Sequence, residues 1–375
     1  MRSFRLIAFF GIVGLMGCSQ GFQVSSTGSA SNAANGGAEN GTPTGGTGAP
    51  PTTTPPTISP PPTTPSLGIC SKLDFIGVEW PKALIEGERK ALALALNITG
   101  SFEGSAGWAN LGSNFDGQGM SLGLSQQNLG QGTLQPLLQR MVAKQASAMS
   151  ALFSAANLKS MTTMLKPWAS SVALLEAQSD NDIFGKYSTE AALFSDEKAL
   201  NALDEGYRPN EISTLDAKTT ASVAWAKTNV YLSGGGVFKT DWKNSFLTLA
   251  VTAPYRSLQI NAAMTMFAKA VGYFDSLKFT QLRSLLFMYD VVVQNGGFTS
   301  THLANYRNYL AANPRATETA RLTKLMEIRV ASVLPRYMAD VRARKSTIIN
   351  GTGTVHGAKR DLQKEYCFTS AENVP

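Results

Sequence analysis

Glu103 and Asp116 stand thirteen positions apart in the segment SFEGSAGWANLGSNFDGQGMSLGLSQ, the first just ahead of a glycine-rich stretch and the second inside it. Two carboxylates brought to one place can divide a reaction between them. One is kept protonated to donate to a leaving oxygen, and the other stays ionised to activate water or steady an oxocarbenium-like transition state. That division is what cleavage of a glycosidic bond requires, and an inverting pair would sit roughly 6.5–9.5 Å apart with water between. Read singly, a glutamate after a helix is a solvated or capping residue, and a DGxG is a turn. Their order, together with two segments further along the chain, points to catalysis.

The elements that must position them follow from local pattern. Asp116-Gly117-Gln118-Gly119 is a turn signal between two short extended runs. In the second run Met120, Leu122 and Leu124 alternate with Ser121, Gly123 and Ser125, giving one apolar face and one small polar face that leaves room for a sugar ring. Ser125, Gln126 and Asn128 are candidate partners for substrate hydroxyls. Helical spacing runs through residues 81–99, 134–165, 224–232, 257–277, 279–295 and 319–345, with short strand signals near SGGGVF and INGTGTVHG. The expected fold is therefore mainly α with a small β-hairpin, built as two helical lobes flanking a substrate cleft. The methionines on these helices read as core filler.

The order helix, glutamate, hairpin, helix resembles the lysozyme-like superfamily, and most closely the chitosanases of glycoside hydrolase family 46. The match is carried by Glu103, by D116-G117-Q118-G119-M120-S121, and by APYRSLQ (253–259) and FMYDVVVQNGG (287–297), over roughly residues 92–345. The resemblance implies Glu103 as general acid, Asp116 as general base and Ser121 as a hydroxyl holding the attacking water. It implies Asp290 as the buried carboxylate of a charge network that positions the acid through arginines, with Arg342 and Arg344 as candidates. A structural ion pair accounts for Asp290 equally well, and helix packing or loop capping accounts for Tyr255-Arg256 and Gln294-Asn295 as well as a cleft lining does. The thirteen-position spacing is shorter than the family's, which bears on the second carboxylate's role.

The rest of the chain says where such a domain would work. MRSFRLIAFFGIVGLMGC has the layout of a secretory signal, and Leu-Met-Gly-Cys resembles the bacterial lipobox, implying a signal peptide over 1–17 and lipidation of Cys18. Ser19, where an aspartate would favour inner-membrane retention, leans toward the outer membrane. Residues 18–67 form a Gly/Ser/Thr/Pro-rich tether unable to bury a core, with a reach on the order of 150 Å. Residues 68–375 are the catalytic domain. Cys70 and Cys367, at the two ends of that domain, are the simplest disulfide in an exported chain, with two buried thiols as the alternative. Only two histidines are present, His302 and His356, neither beside a cysteine or an acidic pair, so neither a metal nor another cofactor is expected. The formal charge of +7, or +5 once Arg2 and Arg5 leave with the signal, suits an anionic wall polymer or membrane surface. No basic run interleaved with aromatics suggests nucleic acid.

The expected function is a monomeric, lipid-anchored hydrolase of β-1,4 linkages in peptidoglycan, including its deacetylated form, facing the periplasm or cell surface. A chitosanase acting on glucosamine polymers and a non-catalytic peptidoglycan-binding lipoprotein are the alternatives.

Overall fold

The computed structural model describes residues 68–114, 117–170, 193, 209–232 and 236–374. Cys18, its signal and tether, and Asp116 all lie outside the described residues. The chain is mainly helical, with two small antiparallel sheets.

Helix α1 (Glu86–Glu103) carries the run ALALALNIT, and residues 91–100 are all buried, as a helix apolar on every side must be. Glu86 and Glu88 occupy its first turn, where the helix dipole favours negative charge, and Glu88 accepts from the Ile85 amide. The chain then forms a three-stranded sheet of β1 (Leu111–Gly112), β2 (Ser121–Leu122) and β3 (Gln127–Asn128), paired in that order. Met120, Leu122 and Leu124 are buried and Ser121 and Ser125 partly exposed, as expected, but Gly123, expected on the small polar face, is buried against Gln259.

The long helical stretch at 134–165 resolves into α2 (Gln135–Lys144), α3 (Ala146–Leu152) and α4 (Ala155–Leu165). The breaks fall at Gln145 and at extended Phe153, after which Ser154 caps α4 through the Asn157 amide. There follow α5 (Pro209–Asn229), α6 (Thr240–Ala250), α7 (Ala253–Ser276), α8 (Leu282–Asn295) and α9 (Ser300–Ala312). The stretch at 319–345 is likewise two helices, α10 (Glu318–Ala331) and α11 (Pro335–Asn350), because Pro335 is tolerated only at a helix start. A hairpin of β4 (Thr352–Val355) and β5 (Ala358–Asp361) occupies the INGTGTVHG region, and α12 (Leu362–Tyr366) follows. At SGGGVF the signal yields one isolated bridge, Tyr231 with Phe238.

The buried apolar residues form two clusters. One gathers α1 and α8–α11 with most of α7. The other gathers α2–α4, α6 and the inner face of the sheet. Helix α7 belongs to both: Tyr255 and Leu258 pack in the second cluster, Ile260 through Phe274 in the first. Cys70 and Cys367 lie within disulfide distance, Cα atoms 5.1 Å apart, and the Cys70 amide donates to the Tyr366 carbonyl. Among the described residues no helix is long and apolar enough to cross a membrane.

Candidate active site

Glu103 is the last residue of α1 and sits where the chain passes between the two clusters: Phe102 and Trp108 pack in the first, while Ala109 and Leu111 lie against the second. The chain turns out of the helix at Gly104, in extended conformation and packed against the Asn110 carboxamide, which accepts from the Ala106 amide. The Glu103 side chain is 15% exposed and receives Arg344 Nη1 at 2.7 Å.

Arg344 comes from α11 and is held in turn by Asp290 of α8. Its Nη2 donates to Asp290 Oδ1 at 2.6 Å, and Lys345 Nζ donates to Asp290 Oδ2 at 2.7 Å and also to Gln294 Oε1. Thr99 Oγ1 donates to Asp290 Oδ1 at 3.3 Å. Asp290 and Lys345 are fully buried and Arg344 nearly so. Burial alone would raise the Asp290 carboxyl, but the charges of Arg344 and then Lys345 override it and hold it down at about 2. Burial depresses the Lys345 ammonium, against the pull of Asp290. Two cations, Arg344 and Lys345, thus face two carboxyl groups, Asp290 and Glu103. Pairing and hydrogen bonding are the conditions under which buried ions persist.

Each helix contributes with one-turn spacing: Thr99 and Glu103 on α1, Asp290 and Gln294 on α8. Helix α11 turns Val341, Arg344, Lys345, Ile348 and Ile349 inward, all of them buried. This corrects the expectation for Arg342. Two residues from Arg344, it points to the opposite side of the helix, where it pairs with Glu327 at the exposed surface and takes no part in the network. Lys345, Gln294 and Thr99 are members that sequence reading missed. For Lys345 a signal existed, a basic pair with Arg344 at the inward positions of a stripe that also holds Val341, Ile348 and Ile349.

The hairpin wall is held against α1 by close approach. A Cβ on Gly100 would stand 2.4 Å from Leu124 Cδ1. Gln259, buried on α7, accepts from the Leu124 amide at 2.7 Å, and its Nε2 donates to the Trp108 and Ala250 carbonyls. Gly123 lets this happen, since its φ is +92° and an added Cβ would lie 2.4 Å from Gln259 Oε1. Gly123→Ala is therefore expected to cost roughly 1–3 kcal/mol in a denaturant titration.

The sequence-derived polar residues separate into three kinds of place. Ser125 joins Glu103, Thr99, Leu124 and Tyr289 in lining a cavity of about 10 Å³. That is room for about one water and not for a sugar ring. Burial raises the Tyr289 hydroxyl well above its ordinary range. Ser121 and Gln126 face each other instead: Ser121 Oγ donates to Gln126 Oε1 at 2.7 Å, and Gln126 Nε2 donates to the Gly123 carbonyl. Asn128 is corrected outright. It is buried, and its Oδ1 accepts from the Gln131 amide, capping a turn and leaving it out of reach of a substrate. Arg256 anchors the carbonyls of Asp74 and Ile76, and Tyr255 is fully buried, so that pair packs the fold.

No protein-family model, no curated protein and no solved structure matches the chain. The reading of this site therefore rests on its own geometry.

Proposed function

We propose that the chain is a cell-envelope glycan hydrolase that cleaves β-1,4 linkages of peptidoglycan, with a lysozyme-like arrangement of two lobes about a substrate cleft. The observation that carries this reading is the placement of Glu103. A carboxyl stands at a helix end, partly exposed, beside a water-sized cavity that Ser125 also lines, with an arginine against it whose far side is fixed on a buried aspartate. A solvated capping glutamate needs none of that support. In the proposed reaction Glu103 gives its proton to the glycosidic oxygen as the bond breaks. Its developing negative charge meets Arg344, already oriented and already out of bulk water, so little reorganisation is needed at the moment of transfer. Asp116 activates the water on the opposite face of the sugar, with the Ser121 hydroxyl beside it, and the configuration inverts. Cys18 anchors the domain by lipid to the outer membrane, and residues 18–67 span the gap to the wall. Deacetylated peptidoglycan falls within the same proposal, and chitosan-like glucosamine polymers are the next substrate class.

One observation favours a different reading. The Ser121 hydroxyl proton is engaged by Gln126 within the hairpin, which suits a glycan-binding lipoprotein that keeps the arrangement without the chemistry. Mass spectrometry of soluble products decides between them, using the full chain and its Glu103→Gln variant on native sacculi, deacetylated sacculi and chitosan. The expected result is release of fragments by the parent chain, with a loss of about 10²–10⁴-fold in the variant. Reducing ends would identify hydrolysis and anhydro ends transglycosylation. No fragments from any polymer, with sacculus binding unchanged by the substitution, would overturn the enzyme reading in favour of the binding one.

A further inference from the structure

Helix α1 ends without the features that usually secure a C-terminus. It has no left-handed cap residue and no basic residue in its last turn. Two cations from elsewhere stand against its last turn. Phe102, the residue before Glu103, has its ring in contact with two guanidinium groups, Arg344 at 5.2 Å and Arg360 at 5.1 Å from the centroid. Arg360 belongs to β5, and its Nη2 also donates to Ser101 Oγ at 2.9 Å, while Ser101 Oγ donates to the Ile98 carbonyl. One guanidinium thus touches the two residues that immediately precede Glu103.

Arg360 is itself rigidly held. Glu365 accepts from its Nε at 3.0 Å and from its Nη2 at 2.9 Å, and Nη2 donates further to the Tyr366 hydroxyl at 3.1 Å. Glu365 is fixed in turn by Lys72 at 2.6 Å and by the Asp361 amide at 2.9 Å. Lys72 and Tyr366 flank the Cys70–Cys367 pair. A cation near a helix C-terminus is favoured by the helix dipole, and a planar guanidinium can stack on a ring and donate several hydrogen bonds at once.

We propose that Arg360 is a positioning residue for Glu103: the C-terminal hairpin, tied to the start of the folded region at Cys70–Cys367, presses this guanidinium on the last turn of α1 and so fixes the direction of the Glu103 carboxyl. The inference rests on the reading of Glu103 as the acid. Misplacing a reacting group by about 1 Å costs on the order of 10²-fold in rate.

The test compares Arg360→Met and Arg360→Lys in the full chain. Arg360→Met is expected to fold with its disulfide intact and to lose about 10- to 100-fold in kcat on the cleaved glycan, with KM within about threefold. Arg360→Lys should recover part of that loss, because it keeps the charge and a donor for Ser101 but not the stacking plane. A second readout needs no turnover: with 13C-labelled glutamate, the Glu103 carboxyl resonance, assigned by its loss in Glu103→Gln, should move in Arg360→Met. Arg321→Met serves as the control for a merely structural role. Arg321 makes comparable contacts, to the Phe279 ring at 4.2 Å and the Tyr306 hydroxyl at 2.9 Å, yet shares no partner with Glu103 among the described residues. It should lower stability and leave the resonance in place. Parental kcat together with an unmoved resonance in Arg360→Met would overturn the proposal, as would an equal displacement in Arg321→Met. If the parent chain cleaves no polymer, the hydrolase reading falls and the resonance alone decides whether Arg360 positions Glu103.

Discussion

Asp290→Ala is expected to destabilise the folded chain by about 3–5 kcal/mol, the usual cost of removing one partner from a buried ion pair. The substitution leaves Arg344 facing only Glu103 and leaves Lys345, fully buried, facing no carboxylate. An uncompensated ammonium in that position must either give up its proton or draw in water, and both outcomes loosen the contact between α8 and α11. Replacing the pair together, Asp290→Leu with Lys345→Met, should recover much of the loss, because no buried charge is then stranded. If the double variant proves as unstable as Asp290→Ala, the cost does not come from an unpaired charge. The same carboxylate has a pH signature. Its folded value, depressed to about 2, lies below its ordinary 3.8, so the unfolded state takes up the proton first as acid is added. The contribution of the ion pair, about 2 kcal/mol, is fully present above about pH 4 and is lost as pH falls through about 2. Unfolding curves of the parent chain and Asp290→Asn between pH 5 and 2 should therefore converge toward the acid end. Glu318, by hydrogen bonds, and Glu365, by hydrogen bonds and the charge of Arg360, are also held low against burial, but they contribute equally to both chains and cancel in the difference.

The second large effect is expected at the ends of the folded region. Replacing Cys70 and Cys367 by alanine should cost about 2–5 kcal/mol, because the link closes a loop of 297 residues in the unfolded chain. Chemical denaturation of the oxidised parent chain, the reduced parent chain and the double alanine variant measures this directly. The reduced chain and the variant should agree, and a midpoint unchanged by reduction would show that the link contributes nothing. Near-normal stability in the variant is not expected from the remaining ties between the ends. Among those are the Cys70 amide on the Tyr366 carbonyl and the Lys72–Glu365 and Lys90–Glu372 pairs, and partly exposed pairs of that kind add little.

What could be read from the sequence divides along physical lines. The alternation at Met120–Leu122 marked which side of the strand faces inward, because a strand has only two sides and the apolar one must be covered, but it did not announce the turn at 123–126 that buries Gly123. Most helix positions were legible from spacing, although α6 and α9 were not among those expected. Their ends were less so, since Gln145, Phe153 and Pro335 interrupt patterns that periodicity alone would carry through. In the site, Glu103, Asp290 and Arg344 do come together, through residues 241 and 54 positions apart that only tertiary packing can join. Arg342 was separable from Arg344 by helix geometry, because a spacing of two reverses direction. The burial of Asn128 and the engagement of Gln126 by Ser121 depend on a tight turn, with Gln126 itself at φ +50°, that no local propensity announces. Arg360 was beyond reach for another reason. It acts on residues 101 and 102 from the far end of the chain, and an arginine on a short polar strand looks like any solvated one.

Helix α7 gives the two clusters a common member, and that changes what damage at a distance means. With Tyr255 seated in one core and Ile260 in the other, little more than one helical turn separates the two anchorages. Neither core can melt while the other stays whole without breaking the same backbone hydrogen bonds between them. Their stabilities are therefore one cooperative quantity, and a cavity opened behind α6 draws on the free energy that keeps Glu103 in place.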